Sequence, residues 1–88
     1  MAYTILYRES VKREMRNLDA AMARRIDTAI QSLANNPRPS GCVKLAGVED
    51  VWRIRVGNYR IVYEIHDQRL IVMIVTVAHR REVYRRLK

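Results

Sequence analysis

The sequence predicts an α+β fold in which an antiparallel two-helix hairpin covers one face of a four-stranded, mainly antiparallel sheet. Apolar residues recur at helical spacing between residues 9 and 36, whereas residues 52–77 contain three strand-like segments. A loop-forming sequence with two prolines and a glycine, residues 37–41, separates these halves. At 88 residues, the chain is predicted to form a single domain, residues 1–88, with one modest core.

The first half begins with a short strand, because apolar and polar residues alternate over residues 3–7. A first helix follows, and a second helix is predicted from about Ala20 to Asn35-Asn36, just before Pro37. The apolar stripe of the first helix consists of Val11, Met15 and Leu18. The stripe of the second helix consists of Met22, Ile26, Ala29, Ile30 and Leu33.

The second half predicts three successive strands joined by tight turns. The strands are residues Trp52 to Val56, Tyr59 to His66 and Arg69 to Val77. Gly57-Asn58 and Asp67-Gln68 are predicted as two-residue turns, which makes the three strands a meander. In this register, the face covered by the helices displays Trp52, Ile54, Val56, Tyr59, Ile61, Tyr63, Leu70, Val72 and Ile74. The first strand is expected to close one edge of the sheet.

The composition favours a negatively charged partner and a cytoplasmic location. The net charge is +8 and the isoelectric point is about 10.4, which is typical of proteins that bind polyanions. Cys42 is the only cysteine, which excludes an intrachain disulfide or a cysteine-based zinc site and suits a reducing compartment. The longest apolar stretch, residues 70–78, is too short to span a bilayer. No cofactor or metal ion is expected.

Three arginines of the predicted hairpin give the strongest functional signal. Arg53 and Arg55 alternate with core-facing residues, and the turn at Gly57-Asn58 places Arg55 directly opposite Arg60. Like charges in such a pair repel each other. The fold is therefore expected to bind an anionic partner there, and guanidinium groups bind phosphate well. We predict a nucleic-acid site on the sheet face opposite the helices.

The same face is predicted to carry an apolar floor beside the arginines. This floor consists of Ile71, Met73 and Val75. A groove of this type can bind RNA, and it can equally accept an apolar helix or strand from a protein partner. The basic residues of the two helices are interpreted as a solvated surface: Lys12, Arg13, Arg16, Arg24 and Arg25.

The chain lacks the glycine-rich phosphate loop, serine elbow and paired carboxylates of common enzyme motifs. The arginines, with His79, Arg80 and Tyr84, suit a different reaction, in which the 2′-hydroxyl of RNA attacks the neighbouring phosphorus. Arginine can stabilise the developing negative charge, but it holds its proton too tightly to act as a base. Proton transfer is therefore assigned to His79, to Tyr84 or to groups of the bound target.

Three segments resemble the RelE/ParE toxin superfamily. They are KLAG at residues 44–47, WRIRVGNYRIVY at residues 52–63 and VAHRREVY at residues 77–84. The resemblance covers nearly the whole chain and includes the order of the helices and strands. It implies, for RelE-type members, a ribosome-dependent endoribonuclease that cuts mRNA in the ribosomal A site and is silenced by an antitoxin. ParE-type members share the fold but poison DNA gyrase.

The resemblance also indicates site residues and partners. The predicted catalytic residues are Arg53, Arg55, Arg60, His79, Arg80 and Tyr84. The predicted RNA-binding residues are Lys44, Arg53, Arg55, Arg60 and Arg81. The implied partners are mRNA, the 30S A site with its rRNA, and a cognate antitoxin that can form a heterotetramer with the toxin. Because the best-known RelE proteins carry lysines at the second-strand positions, the identity of the base stays open. A ParE-like gyrase inhibitor and an inactive, antitoxin-binding homologue are the alternatives.

Overall fold

The computed structural model describes residues 2–79, which fold into two helices and a five-stranded sheet. The elements are β1 (Thr4–Tyr7), α1 (Glu9–Arg16), α2 (Ala20–Ser32), β2 (Val43–Lys44), β3 (Val51–Val56), β4 (Tyr59–His66) and β5 (Ile71–His79). The strand order is β1-β5-β4-β3-β2. Within residues 2–79, neither helix is long and apolar enough to cross a membrane.

The predicted α+β class is confirmed, with one strand more than expected. β1 lies at one edge of the sheet, as predicted, and it pairs in parallel with β5. β3, β4 and β5 form the predicted antiparallel meander. The additional strand, β2, pairs with Arg53 and Trp52 at the other edge. The sequence did not reveal β2, because a two-residue strand is too short to show an alternating pattern.

Both helices carry the predicted stripes into the core, but α2 ends three residues before Asn35. Its N-terminus is capped by Asp19, whose side chain accepts a hydrogen bond from the Met22 amide at 2.8 Å. At the other end the chain turns, and the carbonyl of Ala34 accepts a hydrogen bond from the Tyr3 amide at 2.7 Å. The segment after α2 is therefore tied to the start of β1 instead of extending the helix.

The core lies between the helices and one face of the sheet. Its buried members are Val11, Ile26, Ile30, Leu33, Ile54, Ile61, Tyr63, Ile65, Val72, Ile74 and Val77. The Tyr63 hydroxyl donates a hydrogen bond of 2.8 Å to the carbonyl of Pro37, and burial raises the pKa of this phenol. The loop between α2 and β2 is thereby held against the core. Trp52, Val56 and Tyr59 pack at the margin of the core, on the predicted face.

The second turn of the meander differs from the prediction. His66 pairs with Ile71, so the turn contains four residues, 67–70, and β5 begins two residues later than expected. Leu70 has a left-handed backbone, with φ of 55°. Contrary to the prediction, Leu70 does not belong to the buried core. The longer turn is held by Asp67, whose carboxylate accepts hydrogen bonds from the Arg38 guanidinium and the Tyr3 hydroxyl.

A β-bulge changes the register of β5 near its end. Tyr63 pairs with Ile74, whereas the preceding residue, Val62, pairs with Thr76, so β5 contains one extra residue. Beyond the bulge, Ile61 pairs with Val77. Uninterrupted alternation would place each of the last residues of β5 on a given face of the sheet. Because of the extra residue, each of them projects from the other face.

Candidate nucleic-acid interface

The hairpin of β3 and β4 places three arginines on one face of the sheet. Its register is the predicted one, with Arg55 paired to Arg60 and Val56 paired to Tyr59 across a turn in which Gly57 has φ of 59°. Because Ile54 and Val56 pack toward the helices, the alternating Arg53 and Arg55 project from the other face, together with Arg60. We call this surface, opposite the helices, the arginine face.

A buried apolar cluster lies beside the three arginines. It consists of Val51, Val62 and Ala78, with Leu45 and Val75 partly buried against it. Arg53 pairs with Val62, and Arg60 pairs with Ala78. Of the three residues of the predicted floor, Val75 belongs to this cluster. Ile71 and Met73 are half-buried and lie nearer the start of β5. The face thus combines positive charge with an apolar surface, as the sequence predicted.

The far end of the arginine face is occupied by an ion-paired group. The Glu64 carboxylate accepts a hydrogen bond of 2.8 Å from the Arg8 guanidinium and lies 2.9 Å from Nε2 of His66. Glu64 follows Arg60 by four residues on β4, which corresponds to about 13 Å along a strand. The carboxylate therefore lies well away from the Arg55–Arg60 pair, and the charge of the face is unevenly distributed.

His79 and Lys44 lie on the other side of the sheet. His79 pairs with Tyr59, and their rings meet edge to face with centroids 5.7 Å apart at 80°. Uninterrupted alternation along β5 would put His79 on the arginine face, but the bulge reverses its direction. Lys44 pairs with Trp52, which faces the helices, so its side chain also projects away from the arginines. The structure brings neither residue together with the arginine group.

The remaining predicted site residues are Arg80, Arg81 and Tyr84, and they lie outside the described residues. Within residues 2–79, no three His, Cys, Asp or Glu side chains are placed to hold a metal ion together.

Comparison with known proteins identifies the family. The family model for the ParE toxin of type II toxin-antitoxin systems matches residues 3–84. This chain belongs to the RelE/ParE toxin superfamily. A protein of Escherichia coli named as a RelE-like toxin is 32% identical over 83 residues, covering 91% of this chain and 85% of that protein. The mRNA interferase toxin RelE of E. coli K12 is 28% identical over 88 residues, covering 96% of this chain and 92% of RelE.

A solved structure shows the same fold. The archaeal RelE–RelB complex from Pyrococcus horikoshii contains a chain with 26% identity and a TM-score of 0.81. The alignment covers 91% of this chain and 97% of that chain. The predicted membership of the RelE/ParE superfamily and the fold are therefore confirmed.

In this RelE/ParE member, the sequence reasoning missed Glu14. Its carboxylate accepts hydrogen bonds from the Thr76 hydroxyl at 2.7 Å and from the Val77 amide at 2.9 Å. With Tyr59 and His79, it also lines a cavity of about 190 Å³ at the end of the sheet. A sequence signal existed, because Glu14 occupies the i+3 position of the stripe that begins at Val11. A carboxylate at such a position is directed toward the sheet.

Proposed function

We propose that this protein is a ribosome-dependent endoribonuclease that cuts mRNA in the ribosomal A site and so stops translation in the cytoplasm. The observation that carries the proposal is the arginine face, where Arg55 lies directly across from Arg60 and Arg53 projects from the same strand. The resemblance to a protein named mRNA interferase toxin RelE supports it.

The arrangement suits attack by the 2′-oxygen of RNA on the adjacent phosphorus. In this reaction a bond forms between the 2′-oxygen and phosphorus, the bond to the 5′-oxygen breaks, and the 2′-hydroxyl loses a proton while the leaving oxygen gains one. Negative charge develops on the phosphate oxygens, and preorganised guanidinium groups stabilise it. We propose that Arg53, Arg55 and Arg60 bind and stabilise the phosphate, and that the reaction uses no metal ion.

Proton transfer has stricter geometric requirements. Because the His79 ring lies on the helix side of the sheet, it can exchange a proton with the substrate only where the RNA reaches the edge formed by the start of β4 and the end of β5. Arg80 and Tyr84 follow His79 along the chain. We propose that these residues stabilise charge and orient the scissile nucleotide, with His79 or Tyr84 as the proton carrier.

We also propose a cognate antitoxin that covers the arginine face. Ile71 and Met73 are half-buried there, and Leu6, which pairs with Met73 from β1, is 39% exposed, so an apolar strip lies at the Glu64 end of the face, away from the basic end. An amphipathic segment with acidic residues would complement both parts. A solved structure of similar fold is a RelE–RelB complex. The substitution Met73→Glu is expected to weaken antitoxin binding at least about tenfold, as one buried charge in an interface does.

The control for the antitoxin prediction is Ser10→Glu on the exposed surface of α1, which adds the same charge on the helix side. Titration calorimetry with the purified antitoxin measures both variants. Unchanged affinity of the Met73→Glu variant would show that the antitoxin binds elsewhere.

Primer extension on a defined mRNA in a purified translation system tests the proposed activity. The intact protein is expected to cut only when ribosomes are present, and Arg60→Ala is expected to reduce cutting about 100-fold, since it removes a donor to the transition state. Arg69→Ala, which removes the same charge from the exposed turn at the far end of the meander, is the matched control. If the intact protein cut no mRNA but trapped gyrase on DNA, the nuclease proposal would be wrong.

A further inference from the structure

The end of β5 contains two buried hydrogen-bond donors, the Thr76 hydroxyl and the Val77 amide, that bond to a side chain outside the sheet. The bulge adds Val75 to β5, and the two residues that follow it carry these donors. Thr76 is 4% exposed and Val77 is 3% exposed. A buried hydroxyl or amide without an acceptor destabilises the folded state. These two donors beside the bulge therefore need an acceptor.

Glu14 supplies that acceptor from α1. One carboxylate oxygen accepts from the Thr76 hydroxyl at 2.7 Å, and the other accepts from the Val77 amide at 2.9 Å. Both distances lie in the range of charge-assisted hydrogen bonds. Since the two oxygens take two adjacent donors, the carboxylate fixes the bulge in position as well as satisfying it.

The bulge decides what the last residues of β5 present. With the bulge at this position, Ala78 lies opposite Arg60 on the arginine face and His79 lies opposite Tyr59 on the helix side. A shift of one residue would exchange these two faces.

We propose that Glu14 is a positioning residue that holds the bulged end of β5 and thereby fixes Ala78 opposite Arg60 and His79 opposite Tyr59. Its importance for cleavage rests on the proposed endoribonuclease function. The carboxylate itself lies on the helix side, on the opposite side of the sheet from the arginine face. Its effect on the reaction is transmitted through Val77 and Ala78 to the neighbouring strand.

The substitution Glu14→Gln tests the proposal with little change in shape, because glutamine has only one acceptor oxygen for the two donors. The matched control is Glu9→Gln, the same change in the first turn of the same helix, where the side chain is exposed. Amide hydrogen exchange, followed by NMR at a temperature where all variants are folded, is the first measurement. Exchange at Val77 is expected to accelerate about tenfold in the Glu14→Gln protein, consistent with loss of one charged hydrogen bond, and to stay unchanged in the control.

Single-turnover cleavage of ribosome-bound mRNA is the second measurement. Glu14→Gln is expected to slow the chemical step about 10- to 100-fold, because displacement of catalytic groups by an ångström or less slows reactions by that factor. The concentration that gives half of the maximal single-turnover rate is expected to change less than about threefold. If Glu14→Gln fails to fold, Thr76→Val, which removes one of the two donors, is expected to show a smaller change in the same direction.

The outcomes distinguish the positioning role from the proposed function. Cleavage at the wild-type rate by a folded Glu14→Gln protein would overturn the positioning role and leave the endoribonuclease function intact. Absence of cleavage by the wild-type protein would overturn the function, and the exchange data would then decide the structural role alone. Unchanged hydrogen exchange at Val77, together with unchanged NMR signals of Ala78 and His79, would overturn the structural role of Glu14.

Discussion

The two faces of this sheet differ in the physical requirement that their residues meet. The helix-covered face is apolar, and its buried members include Ile54, Ile61, Val72 and Ile74. The arginine face carries a small apolar cluster between a basic end and the ion-paired Glu64. The first face stabilises the fold by removing apolar area from water. The second face tolerates the repulsion of Arg55 and Arg60, which stability alone does not explain.

The largest effect on stability is expected from a substitution in the core. Ile30 is fully buried, so Ile30→Ala is expected to lower the free energy of unfolding by about 3 kcal/mol through lost apolar burial and a residual cavity. The same substitution on the arginine face, Ile71→Ala, is expected to cost less than about 1 kcal/mol, because Ile71 is half-buried. Urea unfolding at equilibrium measures both. Equal losses in the free energy of unfolding would mean that the arginine face contributes as much to stability as the core does.

A smaller effect concerns the arginine pair. Arg55→Gln removes the like charge opposite Arg60 and is expected to stabilise the protein by about 0.5 kcal/mol at low ionic strength. At about 1 M salt the gain is expected to disappear, because exposed charges are screened. Arg69→Gln, which removes a charge from the exposed second turn, serves as the control. A loss of stability in the Arg55→Gln protein at low salt would contradict the repulsion.

The smallest expected effect lies at the turn between β4 and β5. Hydrogen bonds from Arg38 and Tyr3 lower the pKa of Asp67 from 3.8 to about 2. A carboxyl group with a lowered pKa in the folded state stabilises the protein above its unfolded pKa, and this contribution is lost as the pH falls through the folded value. The melting temperature of Asp67→Asn is therefore expected to lie slightly below that of the wild type at pH 6. The difference is expected to vanish by about pH 2.

Calorimetric melting curves between pH 2 and pH 7 check the Asp67 prediction. Because Asp67 is exposed, the expected difference is small at every pH. Arg38→Gln removes the main partner of the carboxylate and is expected to reduce the pH dependence as well. A difference that grows on acidification would contradict the assignment.

The helix-covered face could be predicted from the sequence because its signals are local and periodic. The stripes of α1 and α2 follow helical spacing, and Gly57-Asn58 defines a two-residue turn, so the pairing of Arg55 with Arg60 followed directly. The arginine group was predictable for the same reason.

The end of β5 could not be predicted, because it depends on contacts between distant residues. The residues after the bulge bond to Glu14, which precedes Thr76 by 62 residues and Val77 by 63 residues. A single inserted residue reverses the direction of His79 without leaving a periodic signal. The turn of residues 67–70 similarly depends on Arg38 and Tyr3. Sequence periodicity thus located the phosphate-binding candidates but not the orientation of His79.

The central claim is that the arginine face binds the scissile RNA, and Arg53 and Lys44 provide its most direct test. They are neighbours on paired strands, with Arg53 on the arginine face and Lys44 on the helix side. We would measure single-turnover cleavage of ribosome-bound mRNA by Arg53→Ala and Lys44→Ala. The structure predicts a loss of about 100-fold for Arg53→Ala and of less than about threefold for Lys44→Ala, which lacks that contact. Equal losses, or a larger loss for Lys44→Ala, would contradict the assignment of the site to the arginine face.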